Sequence, residues 1–144
     1  KLKYTPIKEN LIDKIWKRAI KKNKSKFYIL PSHSVGADFK FKIKKISNNL
    51  KKKGADYQLI TACENNAWLL NIRGQDTKFS PIPNCYVLID NAKNIILFCD
   101  KKKLSGPFKR KFDKIKFLEI RKEKKLPQIY TDRRAFGSAI IHIE

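Results

Sequence analysis

Two apolar runs, Tyr86-Val87-Leu88-Ile89 and Ile95-Ile96-Leu97-Phe98-Cys99, flank the polar pentapeptide Asp90-Asn91-Ala92-Lys93-Asn94. Short apolar segments rich in β-branched residues and joined by turn-forming residues predict a β-hairpin. Neither run alternates with polar residues, so both strands are expected to be buried on two faces. A hairpin of this kind needs a layer on either side, and the rest of the chain has to supply both.

The flanking sequence offers suitable pieces. Phe39, Ile43, Ile46 and Leu50 recur at helical spacing behind Asp38, a good N-cap, and Gly54 ends the run. Phe41 falls off that stripe. The tight connection Gly54-Ala55-Asp56 leads into Tyr57–Thr61, which reads as a strand, and Glu64–Asn71 reads as a short helix carrying Ala67, Trp68, Leu69 and Leu70. Arg73-Gly74-Gln75-Asp76 breaks the pattern, and Pro81 and Pro83 keep the next residues extended, so this stretch is expected to be a loop. Gly106-Pro107 interrupts Leu104–Lys111, and Ile115, Phe117, Leu118 and Ile120 fit a strand or a short helix equally well. Ile129-Tyr130 and Ala139–Ile143 read as strand pieces. The order of elements predicts an α/β fold, a mixed β-sheet flanked by helices.

Upstream, Leu2–Pro6 resembles the end of a strand, and Asn10 can cap a short helix with Leu11, Ile12, Ile15 and Trp16. Lys17–Lys26 is basic and aperiodic, like a linker, and Phe27–Leu30 is a brief apolar run stopped by Pro31. Opening on Lys1 rather than Met is what a segment with its native N-terminus upstream would show.

The chain has 34 Lys and Arg against 13 Asp and Glu, a formal net charge of +21. A basic surface attracts phosphates and acidic membranes. The lysines, however, are spread along the whole chain beside abundant Ile and Asn, as in the coding bias of an AT-rich genome. The runs Lys51–Lys53 and Lys101–Lys103 fall at the edges of predicted elements, where solvated charge is expected. Without a binding motif, charge is a weak argument for nucleic acid. Cys63, Cys85 and Cys99 are odd in number and lack zinc or disulfide spacing, which suits a reducing, cytoplasmic setting. No apolar stretch approaches the ~18 residues of a membrane helix.

Candidate chemistry is sparse. His33 and His142 lie far apart, and His142-x-Glu144 lacks the Pro-Cys-x-x-Cys partner of a zinc deaminase. Cys63 precedes a predicted helix, where its pKa could fall and a base such as His33 could serve it, but a single thiol more often fills apolar space. No glycine-rich phosphate loop occurs. The corner from Trp68 to Asp76 is the most specific local feature, placing Asn71, Arg73 and Asp76 beside a large aromatic at the rim of the sheet. Arg73 could grip a peptide carboxylate through two parallel hydrogen bonds. The favoured reading is structural: Arg73 and Asp76 brace the loop while Trp68 fills the core.

Asn10-Leu11-Ile12-Asp13-Lys14-Ile15-Trp16, Gly54-Ala55-Asp56 and Ala67-Trp68-Leu69-Leu70-Asn71-Ile72-Arg73-Gly74-Gln75-Asp76, followed by Pro81, resemble in order and spacing the middle of a three-domain Xaa-Pro aminopeptidase. The likeness runs from about Leu2 to Asp100, and the Trp-Leu-Leu-Asn-x-Arg-Gly block is its most specific part. The resemblance implies that residues 1–24 end a preceding domain and its connector. It also implies that residues 25–144 form a non-catalytic creatinase N-terminal-like, ribonuclease H-like domain, with a pita-bread catalytic domain following Glu144. In that family the catalytic domain binds two divalent metal ions, commonly manganese, and removes an N-terminal residue preceding proline. None of its ligands maps onto this chain. The accessory domains are expected to shape access to the active site and to contribute to dimer contacts, with Trp68, Asn71, Arg73 and Asp76 as candidate substrate-access or domain-interface residues.

Overall fold

A computed structural model describes residues 24–120 and 138–141, together with Ile12 and Ile15. Along the chain come β1 (Tyr28–Ile29), a 3-10 turn at Ser32–Ser34, α1 (Phe39–Lys52), β2 (Tyr57–Ile60), α2 (Cys63–Leu70) and β3 (Ile72–Arg73). They are followed by β4 (Cys85–Asp90), β5 (Ile95–Cys99), a 3-10 turn at Lys101–Lys103, α3 (Gly106–Lys111), β6 (Ile115–Glu119) and β7 (Ser138–Ile141). The predicted N-terminal strand, most of the connector and the Ile129-Tyr130 piece lie outside the described residues.

The hairpin forms and sits within a five-stranded sheet of order β6-β5-β4-β2-β7. Every neighbouring pair is antiparallel except β5–β6, whose parallel pairing needs the crossover that α3 supplies. β1 and β3 form a separate antiparallel ribbon. The turn closing the hairpin is held by the Asp90 carboxylate, which accepts from the Asn94 backbone N–H at 2.7 Å, and Lys93 takes a left-handed φ of 74°.

The register puts Val87 opposite Leu97, Ile89 opposite Ile95 and Cys85 opposite Cys99 on one face. These residues share one continuous core with Ile43, Leu69, Leu70 and Phe108 from the helices. On the other face Leu88 and Phe98 are buried, with Tyr57, Leu59, Tyr86, Ile96 and Leu118 packed around them. The first face of the hairpin is therefore fully buried, whereas on the second Leu88 and Phe98 are buried but Tyr86 and Ile96 are only half-buried, short of the two-sided burial expected.

α1 forms as its periodicity dictates. The Asp38 side chain accepts from the Lys40 backbone N–H at 2.8 Å, and Gly54, at φ +63°, provides the left-handed residue that follows the helix end. Phe39, Ile43 and Leu50 are buried, a gain of about 1.5–3 kcal/mol each. Ser47 donates to the Asp90 carbonyl at 2.9 Å and ties the helix to the end of β4.

Two expectations change at α3. Gly106-Pro107 starts a helix instead of interrupting one: Ser105 is its N-cap, accepting from the Phe108 N–H at 3.3 Å, and proline suits the first turn because its missing N–H has no intrahelical partner there. The ambiguous stretch resolves as strand β6 over Ile115–Glu119. Phe108 and Phe112 meet at a tilt, 4.8 Å between ring centres, and Phe112 meets Phe39 edge-on at 5.1 Å, locking α3 against α1.

Candidate functional site

α2 ends at Asn71, whose φ of 55° and ψ of 38° are left-handed, a conformation asparagine tolerates better than most residues. A helix end leaves carbonyls without partners, and cations are favoured beside them. Here Lys42 Nζ, reaching over from α1, donates to the Trp68 carbonyl at 2.5 Å and to Asn71 Oδ1 at 2.6 Å. Asn71 Nδ2 donates to the Ala37 carbonyl at 2.9 Å. Arg73 Nη1 donates to the carbonyls of Ala67 at 3.2 Å and Ile72 at 2.9 Å. The side chains of Lys42, Asn71 and Arg73 together close one helix end. Lys42 is buried, and its pKa is held below the usual lysine value first by burial and then by the Arg73 cation, with Asp38 opposing.

Asp76 anchors the next loop. One carboxylate oxygen accepts from the Asn84 backbone N–H at 2.7 Å, and the other forms an ion pair with Lys103. Lys103, expected among solvated charges, is instead buried, its ammonium 5.8 Å from the Phe27 ring centre. Gly74 packs where no side chain fits: a Cβ there would lie 2.8 Å from Pro83 Cα and 3.1 Å from the Phe27 ring. Arg73 and Asp76 thus brace different things, the helix end and the loop.

Trp68 is not in the core. It is 61% exposed, while Ala67, Leu69 and Leu70 on either side of it are buried. A short helix buries one face, and Asn66, Ala67, Leu69 and Leu70 fill it, turning Trp68 outward. Asn66, missed in the sequence, is fully buried, and its amide donates to the carbonyls of Ile60 at 3.1 Å and Cys85 at 2.8 Å, joining α2 to β2 and β4. Its only advance signal was its position four residues before Leu70.

Cys63 Sγ lies 3.7 Å from the Cys85 carbonyl and 3.9 Å from Asn84 Oδ1, and Cys85 faces Cys99 across the hairpin. Burial pushes the Cys85 thiol well above its ordinary pKa, and Cys99 is pushed up to about 12, by burial first and then by Glu119 and Asp100. Both are therefore poor nucleophiles. His33 sits in the exposed 3-10 turn, and His142 lies outside the described residues. A shallow cleft of about 280 Å³ is lined by Asp56, Tyr57, Asp90 and Asn91. Among the described residues no three His, Cys, Asp or Glu side chains group closely enough to hold a metal ion, and no helix is long and apolar enough to cross a membrane.

Residues 18–140 match the model of the creatinase/prolidase N-terminal domain family. The Xaa-Pro aminopeptidase 1 of Dictyostelium discoideum is 33% identical over 115 residues, covering 75% of this chain and 18% of that protein. Aminopeptidase P1 of Arabidopsis thaliana is 30% identical over 96 residues, covering 67% of this chain and 15% of its own length. Among solved structures, the X-prolyl aminopeptidase of Caenorhabditis elegans, described as a cytosolic enzyme with a di-nuclear active site, superposes with a TM-score of 0.71 at 24% identity, over 81% of this chain and 19% of that one. The chain spans less than a fifth of the length of each of these proteins.

Proposed function

This chain belongs to the creatinase/prolidase N-terminal domain family, and from that premise we propose that it is the non-catalytic accessory domain of an Xaa-Pro aminopeptidase. The parent enzyme removes an N-terminal residue preceding proline, and the accessory domain shapes access to the active site and contributes to contacts in a dimer. On this reading the domain begins near residue 25, the setting is cytosolic, and the divalent metal ions, with manganese as the first candidate, bind in a different domain. Support for two metal ions in the parent comes from the solved relative, described as having a di-nuclear active site, of which this chain matches 19%.

The observation that carries the proposal is the state of the corner. Arg73, Asn71 and Asp76 spend their bonds within the domain, on the carbonyls of Ala67, Ile72 and Ala37, the Asn84 N–H and the ammonium groups of Lys42 and Lys103, while Trp68 faces outward on a braced helix end. Such bracing supports a surface presented to another domain. Aromatic residues held in this way are enriched in protein interfaces.

The test compares the 144-residue chain with the complete parent polypeptide on a peptide with proline second. Manganese-dependent cleavage is expected from the parent alone, and cleavage by the isolated chain overturns the proposal. In the parent, Trp68→Ala should impair kcat/KM while leaving the melting temperature of the accessory domain nearly unchanged. Arg73→Ala should do the reverse, destabilising by about 1–2 kcal/mol through the lost carbonyl partners. Impaired kinetics at constant stability for Arg73→Ala would move that residue from bracing to substrate contact.

A further inference from the structure

α1 carries six lysines and no aspartate or glutamate. Lys42 is consumed in the corner, whereas Lys40, Lys44, Lys45, Lys51 and Lys52 are exposed. Lysines near the end of a helix favour its dipole, but Lys40, Lys44 and Lys45 occupy its first half, where acids are favoured and like charges three or four residues apart repel. Helix stability does not explain that pattern. Phe41 lies within the same outward strip, 53% exposed, with Lys45 Nζ 4.9 Å from its ring centre. Trp68, 61% exposed, stands on the neighbouring helix, with Lys42 Nζ 4.2 Å from its ring centre.

We propose that this face, Lys40, Lys44 and Lys45 with the rings of Phe41 and Trp68, binds single-stranded nucleic acid, the lysines engaging phosphates and the rings stacking bases. Interleaved cations and exposed aromatic faces are the recurring chemistry of such surfaces. An anionic membrane fits less well, because a helix lying on lipid needs an apolar stripe, and Phe39, Ile43, Ile46 and Leu50 are already committed to the core. Spread along the sequence, the lysines gave charge without a site. α1 gathers several of them on one face with the Phe41 ring, and α2 adds Trp68, rings that a bare polyanion would not need. Trp68 is shared with the interdomain surface proposed above, whereas Lys40, Phe41, Lys44 and Lys45 belong to this face alone.

The experiment titrates the 144-residue chain into fluorescein-labelled oligo-dT and oligo-U of ~20 nucleotides, longer than the ~4–16 nucleotides a single-strand site typically spans. Affinity should fall linearly on a log–log salt plot, with a slope of about −0.7 per phosphate engaged. Lys44→Gln/Lys45→Gln should make that slope shallower by about 1.4, whereas Lys109→Gln/Lys111→Gln, with the same loss of charge on α3, should change it little. Phe41→Ala and Trp68→Ala should each weaken binding about tenfold at unchanged slope. Phe41 lies outside the core clusters, so its effect is separable from unfolding. Three results overturn the proposal: undiminished affinity in both aromatic variants, an equal loss from the α3 pair, or tighter binding to polyglutamate or phosphatidylserine vesicles than to the oligonucleotides.

Discussion

At the α2–β3 corner each cation has a named acceptor: Lys42 meets the Trp68 carbonyl and Asn71, Arg73 meets Ala67 and Ile72, and Lys103 meets Asp76. On the outward face of α1, five lysines extend from a helix that contributes no acid of its own. The same residue type is a structural tie in one place and a source of mutual repulsion in the other. What separates them is burial: a buried ammonium without partners costs far more than an exposed one, so only the corner was forced to acquire acceptors. Net charge sums over both regions and so describes neither.

The contrast can be broken most sharply at Asp76. Asp76→Ala leaves the buried Lys103 ammonium and the Asn84 N–H unpaired, and should cost about 3 kcal/mol, a fall in Tm of roughly 6–12 °C for a domain of this size. A change of Tm too small to measure would place this pair with the surface charges. Next comes Gly74→Ala, where the new methyl group meets Pro83 backbone at 2.8 Å, and chemical denaturation should show a loss of about 1–3 kcal/mol. A neutral result would mean that the loop yields and the corner is less rigid than its bonds suggest.

A smaller effect concerns protons. Cys99 has its pKa raised from 9.0 to about 12 by the fold, so the unfolded chain releases this proton first. The resulting stability is complete below pH 9 and is lost as pH rises toward 12. Lys42 shifts the other way and gains as pH rises toward 10.5, so the useful readout is a comparison of proteins. Between about pH 9 and 11, Cys99→Ala should lose less Tm than the parent chain. Parallel slopes would remove Cys99 from this account. Smallest of all, Lys44→Gln/Lys45→Gln should stay within about 0.5 kcal/mol of the parent chain, leaning toward stabilisation as repulsion is relieved. A large loss there would show that the α1 face is structural after all.

The sheet, α1 and the hairpin were legible because each is written in a local pattern: the Phe39–Leu50 stripe, the cap at Asp38, and the two apolar runs around Asp90–Asn94. The parallel placement of β6 was not, since a strand carries no mark of which neighbour it will pair with. Gly106-Pro107 misled because the same dipeptide that stops one helix suits the first turn of another, and Ser105 was the deciding residue. At the candidate site, Asp76 ties down the loop while Arg73 bonds the helix end instead, and their partners, Ala67 carbonyl and Lys103, lie on other elements and could not be named in advance. Trp68 was misplaced because four consecutive apolar residues were counted together, whereas a helix buries only those that share its inner face. Lys42 carries no local signal: a lysine inside an apolar stripe looks like any other until the helix end it caps is brought beside it.

β7 pairs with β2, joining Ser138–Ile141 to residues roughly 80 positions earlier in the chain. At a synthesis rate of about 5–20 residues per second, β2 is made some 4–16 s before its partner. Through that interval one margin of the nascent sheet presents unsatisfied amide and carbonyl groups, a template for any extended chain nearby. Polypeptides interrupted within that window should therefore be the ones that aggregate on the ribosome.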